Sequence, residues 1–522
     1  MRSTSGEGSR PPADGWVKPP DTQTRALTWL AWTALGVSLL IMVAASIVRS
    51  SWMYPPVVMP SAGPPWDLTS VHVSAKVATT VLWVAAFLGA VGVVAGLAAV
   101  QRGARLNLRV LLITAAVTVI ALTVLLPAGS TDAFDYATYG RLVTLGHSPY
   151  VTTPNYLRKL HNTYARSVPT TWDKYVSVYG PLATIEQFLA AKLGGFSAAR
   201  IAFWLKLWNS IAFGIIAFTI DRLLRRDPAR RLRGHLLWTI NPLLLWDLVA
   251  AGHVDVIGAA LGMLGLVVLG EQLAGSGSRP AMWRVLAAGA LIGAAADIKI
   301  NYALFGLGLA WALRRAPLAA AAAAGAAVVV LVPGYVWFGS PAAQALVDRR
   351  NGSSADTFYR FFLIDPHWGK HLAVIAGVVV VAVAVLVLLR MPPGAASRPA
   401  IRPAIALSAA WLFSWPYQLP WYDAMLVCLL VLYPATRLDW LVIARLLAGT
   451  WPNIPGNPYA PPGVVGVTHH IFVVTVAPLI LLLAAIGLIA LCVSGRWNLR
   501  EPGEPPGAAP PETAGLVPSA AG

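Results

Sequence analysis

Apolar runs separated by short polar breaks recur along nearly the whole chain. A helix crosses the hydrocarbon layer of a membrane with about 20 residues. Apolar segments, several of them shorter than that, lie near 27–47, 77–100, 109–126, 201–220, 236–251, 254–270, 282–297, 300–313, 317–337, 372–389, 403–415, 421–434, 438–450 and 471–493. They predict an all-α polytopic membrane protein, a bundle of about 12–14 transmembrane helices. The pieces around Asp297–Asn301 and Ser414–Trp421 read equally as broken or re-entrant helices. One long interruption stands out: Ser130 to Leu182 is polar and aromatic where its flanks are apolar.

Composition narrows the class. Hydrophobic residues make up 57% of the 522 and charged ones 12%, against about 25% charged in a soluble domain. Residues 1–25, rich in Gly, Ser and Pro, and 501–522, with PPGAAPPE, are predicted as disordered cytoplasmic tails. Between them, 26–500 reads as one transmembrane domain whose main loop is 128–200. The segment Leu27–Ile47 is too long for a signal-peptide core and is read as an uncleaved first span. Cys428 and Cys492 both lie in apolar runs, so neither a disulfide framework nor a metal-ligand spacing is visible.

The net charge of +17 resides largely in short loops. Arg102, Arg105 and Arg109 form one group; Arg222, Arg225, Arg226, Arg230, Arg231 and Arg233 a second; Arg314 with Arg315, then Arg390, Arg398 and Arg402, two more. Alternate loops, apart from two long ones, are nearly empty of basic residues, which is the positive-inside pattern. With the N-terminus inside, every group falls in the cytoplasm. Loops 48–76, 128–200, 338–371 and 451–470 then fall on the far side, with tight turns at His253, Lys299 and Pro416–Pro420. No aromatic-interleaved basic groove of the kind nucleic acid needs is present. Neither a GxxxxGK[ST] loop nor a GxGxxG after a strand occurs, so no nucleotide-phosphate cradle is visible.

Asp132 and Asp135 follow the third apolar run and stand three residues apart. On a helix they share one face near its N-terminus, where the dipole favours anions. Thr131 or Asp132 serves as a helix cap in one reading. In the other, one of the acids is a general base at the membrane surface, taking the proton of an attacking hydroxyl while a sugar leaves its phosphate. The pair also permits one acid to orient the other, or both to hold a divalent cation; no cofactor is otherwise required. Tyr136, Tyr139, Arg141, His147 and Tyr150 follow, a cluster suited to binding sugar, although tyrosines also collect at membrane interfaces. In VYGPL, Pro181 suits the first turn of a helix.

The order DAFDYATYGRLVTLGHSPY, an insert with Trp172, and YGPL resembles the actinobacterial polyprenol-phosphomannose-dependent α-1,6-mannosyltransferases, multi-spanning enzymes of the GT-C class. Asp135, Tyr136, Gly146, Pro149, Tyr150, Tyr179, Gly180, Pro181 and Leu182 stand at matching positions. AAGHVDVIG, with His253 and Asp255, resembles the family's Gly-His-x-Asp turn; DIKINY, with Lys299, its Ile-Lys element; LPWYDAML, with Trp421 and Tyr422, its late Trp-Tyr element. Ser130-Thr131 precede the first acid where an Arg is common, so Asp132 and Asp135 both remain candidates for the base.

The resemblance implies a GT-C-like bundle in the plasma membrane; the charge pattern puts its site on the extracytoplasmic side, and a single displacement with inversion is the expected mechanism. Its donor would be a polyprenyl phosphomannose, its acceptor a growing α-1,6-mannan or lipoglycan, and membrane lipid its surroundings. Read with the residue chemistry, Lys299, His253 and Arg360, whose guanidinium offers a bidentate fork, are expected at the donor phosphate, and Tyr136, Tyr139, Arg141, Tyr150, Tyr179, Asp255, Trp421 and Tyr422 at the sugar and acceptor site. Asp297 is a possible partner for Lys299, and His253 with Asp255 a self-neutralising turn. Adjacent His469 and His470 diverge on a helix and are read as interfacial. Another lipid-linked sugar such as arabinofuranose fits the same scaffold. A transporter or flippase would instead place ionisable groups deep in the spans, where only Lys206 and Arg445 stand out.

Overall fold

A computed structural model describes residues 21–48, 57–66, 71, 73–160, 172–270, 281–362, 371–394, 398–456 and 463–499. The predicted tails before 21 and after 499 lie outside the described residues. Those residues form helices and no strands, with two isolated bridges, Trp66 to Leu125 and Thr436 to Asn498.

Six of the described helices are long and apolar enough to cross a membrane: Thr22–Ile47, Ala75–Gln101, Ala198–Leu224, Pro317–Phe338, Leu372–Arg390 and Gly463–Ser494. A seventh candidate is broken, with Pro242–Ala250 and Asp255–Val268 bent by 110° at the residues between them. Shorter apolar helices include Leu108–Val124 and Ile401–Ser414. The predicted apolar segments thus fall on helices, several too short to cross alone. The first helix starts at Thr22, so Thr22–Arg25 belong to it and not to the tail; the Asp21 carboxylate accepts from the Thr24 amide at 2.7 Å.

Close approach between helices rests on small residues, as in membrane bundles generally. A Cβ on Gly289 would stand 2.0 Å from the carbonyl oxygen of Ala323, and one on Gly293 2.6 Å from that of Ala327, so Met282–Ile298 lies directly against Pro317–Phe338. Large apolar side chains point outward, among them Trp337, Phe218 and Leu389, as a lipid-facing surface requires.

The two basic residues noted deep in the spans are both anchored. Lys206 donates to the carbonyls of Leu122, Leu125 and Leu126 at 2.5, 2.9 and 3.3 Å, satisfying groups that Leu108–Val124 leaves open at its C-terminal end. Arg445 pairs with the buried Asp423 and donates to Gln418 and to the Leu412 carbonyl. These anchors hold the segment leading to Asp132 and the turn carrying Trp421 and Tyr422.

Candidate active site

The helix Asp132–Thr144 begins just beyond the segment held by Lys206. Ala128 donates its amide to the carbonyl of Ala250 at 2.9 Å, tying this entry to the break in the bent helix pair. That tie brings Asp132 to His253: the carboxylate lies 3.6 Å from the imidazole Nδ1. Thr131 occupies the capping position without a side-chain cap bond, so neither it nor Asp132 acts as one. Ser130 Oγ instead accepts from the Asp132 amide at 3.2 Å, and the Asp132 carboxylate keeps 21% of its side chain exposed.

The two acids differ in setting. Burial raises the Asp132 carboxyl to about 6, against lowering by the nearby Lys299 charge and the Ser130 hydroxyl. Asp135 is more enclosed, with one oxygen buried and unpartnered. Burial, then the charges of Asp132 and Asp173, hold it well above the usual carboxylate range. The push toward the protonated form is thus the larger for Asp135.

Aromatic groups close around Asp132. Tyr179 donates to the Tyr136 hydroxyl at 3.1 Å, and Tyr136 lies 3.4 Å from His253 Nδ1. His253 stacks on Trp421 with ring centroids 3.5 Å apart. Lys299 reaches both oxygens of Asp255 at 2.9 and 3.0 Å and sits over the Tyr422 ring, 3.8 Å from its centroid.

These contacts replace two expectations. Lys299 pairs with Asp255 and not with Asp297, because it leaves the helix in extended conformation while Asp297 stays in the last turn. His253 and Asp255 do not neutralise each other: one turns to Asp132 and the other to Lys299.

Asp297 serves YGPL instead. Its carboxyl lies at the N-terminus of the helix Pro181–Gly194, near the Leu182 amide; that helix has no cap from its own Gly180, and Gly180 N donates to Ile298 O at 3.3 Å. A Cβ on Gly180 would stand 1.9 Å from the Asp297 carbonyl oxygen. Gly180→Ala is therefore expected to cost about 3 kcal/mol or more, read as lower thermal stability of the purified protein. An unchanged midpoint would mean that the two segments separate without penalty.

Other expected site residues lie farther out. Tyr139 donates to the Tyr175 carbonyl at 3.1 Å. The Tyr150 hydroxyl contacts the Tyr179 carbonyl and Thr184, both at 2.8 Å, and supports YGPL from behind. Arg141 reaches Thr144 and packs over Phe196 at the opposite end of the acid helix. Arg360 turns back to the Ala355 carbonyl of its own loop, and no contact among the described residues joins it to the acids. His469 contacts the Pro452 carbonyl at 2.9 Å. Among the described residues no group of three or more His, Cys, Asp or Glu is placed to hold a metal ion.

Sequence reasoning passed over Arg349, Tyr175 and Tyr417. The Arg349 guanidinium lies 3.7 Å from the Tyr175 ring centroid, and Tyr417 neighbours Tyr422 at 6.4 Å. The available signal was the adjacent Arg349-Arg350 pair in one of the two long loops that depart from the alternating basic pattern.

Comparison with known proteins adds a family. The chain is 31% identical over 149 residues to a "Probable alpha-(1->6)-mannopyranosyltransferase" of Mycolicibacterium smegmatis, covering 28% of this chain and 26% of that protein. It is 30% identical over 208 residues to "Alpha-(1->6)-mannopyranosyltransferase B" of Corynebacterium glutamicum, covering 36% of this chain and 32% of the relative. The matches thus span about a quarter to a third of the length of these curated relatives. No solved structure matches the chain. The family model described as "Alpha-(1->6)-mannopyranosyltransferase, N-terminal domain" matches residues 31–315, which include both acids, His253, Asp255 and Lys299. With more than half its length matched, the chain belongs to the alpha-(1->6)-mannopyranosyltransferase family.

Proposed function

We propose that the protein transfers mannose from a polyprenyl phosphomannose to a hydroxyl of a growing α-1,6-mannan or lipoglycan, at the outer face of the plasma membrane and with inversion. The observation that carries this reading is the partly exposed Asp132 at a helix N-terminus, enclosed by His253, Tyr136 and Tyr179 and close to the charge of Lys299. In a single displacement Asp132 takes the proton of the acceptor hydroxyl as that oxygen bonds to the anomeric carbon. The bond from that carbon to the phosphate oxygen breaks through an oxocarbenium-like state, as in glycoside hydrolysis. The half-buried Tyr179 offers its ring to the sugar. A lipid-linked donor fits a chain without a nucleotide cradle.

The test is transfer in membranes supplied with polyprenyl phosphomannose and, separately, with another polyprenyl phosphosugar such as the arabinofuranosyl compound. Transfer of mannose alone supports the reading, and transfer of only the other sugar overturns it. Because the base acts deprotonated and its carboxyl is raised to about 6, the rate is expected to climb roughly tenfold per unit up to that pH and then level. A rate that stays flat through this region would remove Asp132 from the role.

A further inference from the structure

Lys299 is largely spent. Both its contacts to Asp255 are short, the acid is fully buried, and the pair is neutral as a unit. In the proposed reaction, on which this inference rests, the donor is a phosphodiester with one negative charge. When the anomeric C–O bond breaks, its electron pair stays on the phosphate oxygen and the leaving polyprenyl phosphate gains a second negative charge. A cation with an uncommitted face is needed where that charge grows.

Arg349 meets the requirement. It follows the helix Ser340–Asp348 and is exposed, and no carboxylate lies within ion-pair distance of it among the described residues. Its loop is fixed over the site: Ser354 Oγ donates to the Gln418 carbonyl and accepts from the Gln418 amide, both at 2.9 Å. That clamp places Arg349 beside the turn carrying Tyr417. The guanidinium packs over Tyr175, whose carbonyl accepts from Tyr139 of the acid helix. Burial raises the hydroxyls of Tyr139 and Tyr417; beyond it, Asp135 and then Asp132 raise Tyr139, Asp132 raises Tyr417, and Arg349 lowers both. Arg349 thus reaches the site from the side of Tyr175 and Tyr417, Lys299 from that of Asp255, and only Lys299 already holds an acid.

We propose that Arg349 binds the phosphate of the lipid donor, using its planar fork on two phosphate oxygens while Tyr175 holds the guanidinium in place.

The test uses the full-length protein in lipid nanodiscs. It measures binding of polyprenyl phosphate, which carries no sugar, alongside transfer from polyprenyl phosphomannose. Arg349→Ala is expected to weaken polyprenyl phosphate binding and raise the donor KM by roughly ten- to hundredfold, with the acceptor KM unchanged. Arg349→Lys should recover part of the loss, and Arg350→Ala should behave as wild type. Arg349→Gln keeps a planar group on Tyr175 and separates loss of charge from loss of packing.

Wild-type binding and KM in Arg349→Ala, or an equal loss in Arg350→Ala, overturns the proposal and leaves the mannosyl reading standing. Arg349-dependent binding of polyprenyl phosphate without mannose transfer supports the phosphate site and overturns the mannosyl reading. Failure of the wild type to bind polyprenyl phosphate at all overturns the phosphate site.

Discussion

Asp132→Asn is expected to reduce transfer by about 10²–10⁴-fold, the range a positioned general base contributes, while the protein folds and still binds the lipid donor. The amide keeps the shape of the side chain but takes up no proton. Asp135→Asn is expected to stay near the wild-type rate. Burial and the charge of Asp132 push its carboxyl well up toward the protonated form, which the amide mimics. The two variants are scored by initial rates with donor and acceptor saturating, together with binding of polyprenyl phosphate. Full activity in Asp132→Asn would assign the base elsewhere. A large loss in Asp135→Asn with Asp132→Asn unaffected would exchange their roles.

The largest stability effects are expected at the pair behind the site. Asp255 is fully buried and Lys299 keeps 13% of its side chain exposed. Removing one partner strands the other charge, which costs about 3–5 kcal/mol in comparable buried pairs. Asp255→Asn and Lys299→Met should each lower unfolding stability in detergent by that order, and the double variant should recover most of the loss. A coupling energy near zero in this double-mutant cycle would show that water or lipid headgroups, and not Asp255, satisfy Lys299. The Tyr302 hydroxyl, 2.6 Å from the Asp255 carbonyl oxygen, holds the same residue by its backbone and is untouched by these changes.

Much of this geometry was legible in the chain and some was not. The helical architecture followed from apolar run length, because a bilayer demands a fixed span. The acids, His253, Asp255, Lys299, Trp421 and Tyr422 stood out as polar or aromatic groups at breaks between apolar runs, and the fold gathers them around Asp132. The pairing of Lys299 was misjudged by proximity in sequence. The helix ends between the two, with Asp297 in its last turn and Lys299 in extended backbone beyond it, and that break is what parts them. Arg360 stands out in sequence for the bidentate fork its guanidinium offers, whereas the loop carrying Arg349 is placed by the Ser354–Gln418 clamp. That clamp joins residues 64 apart and leaves no periodic trace. Arg141 looked close to the acids because it shares their helix, but it occupies the last turn and they the first.

The lysine beneath the acid helix also bears on mutational tolerance. Its three N–H groups meet three backbone carbonyls, at Leu122, Leu125 and Leu126. Every residue type supplies a carbonyl, so the identity of those three side chains is irrelevant to the anchor, and drift there is limited only by packing. Lys206 enjoys no such freedom, since a shorter, branched or neutral side chain loses the reach or the donors. The position of the proposed base is thus governed by a residue 74 places downstream of it, in a helix that carries none of the proposed chemistry.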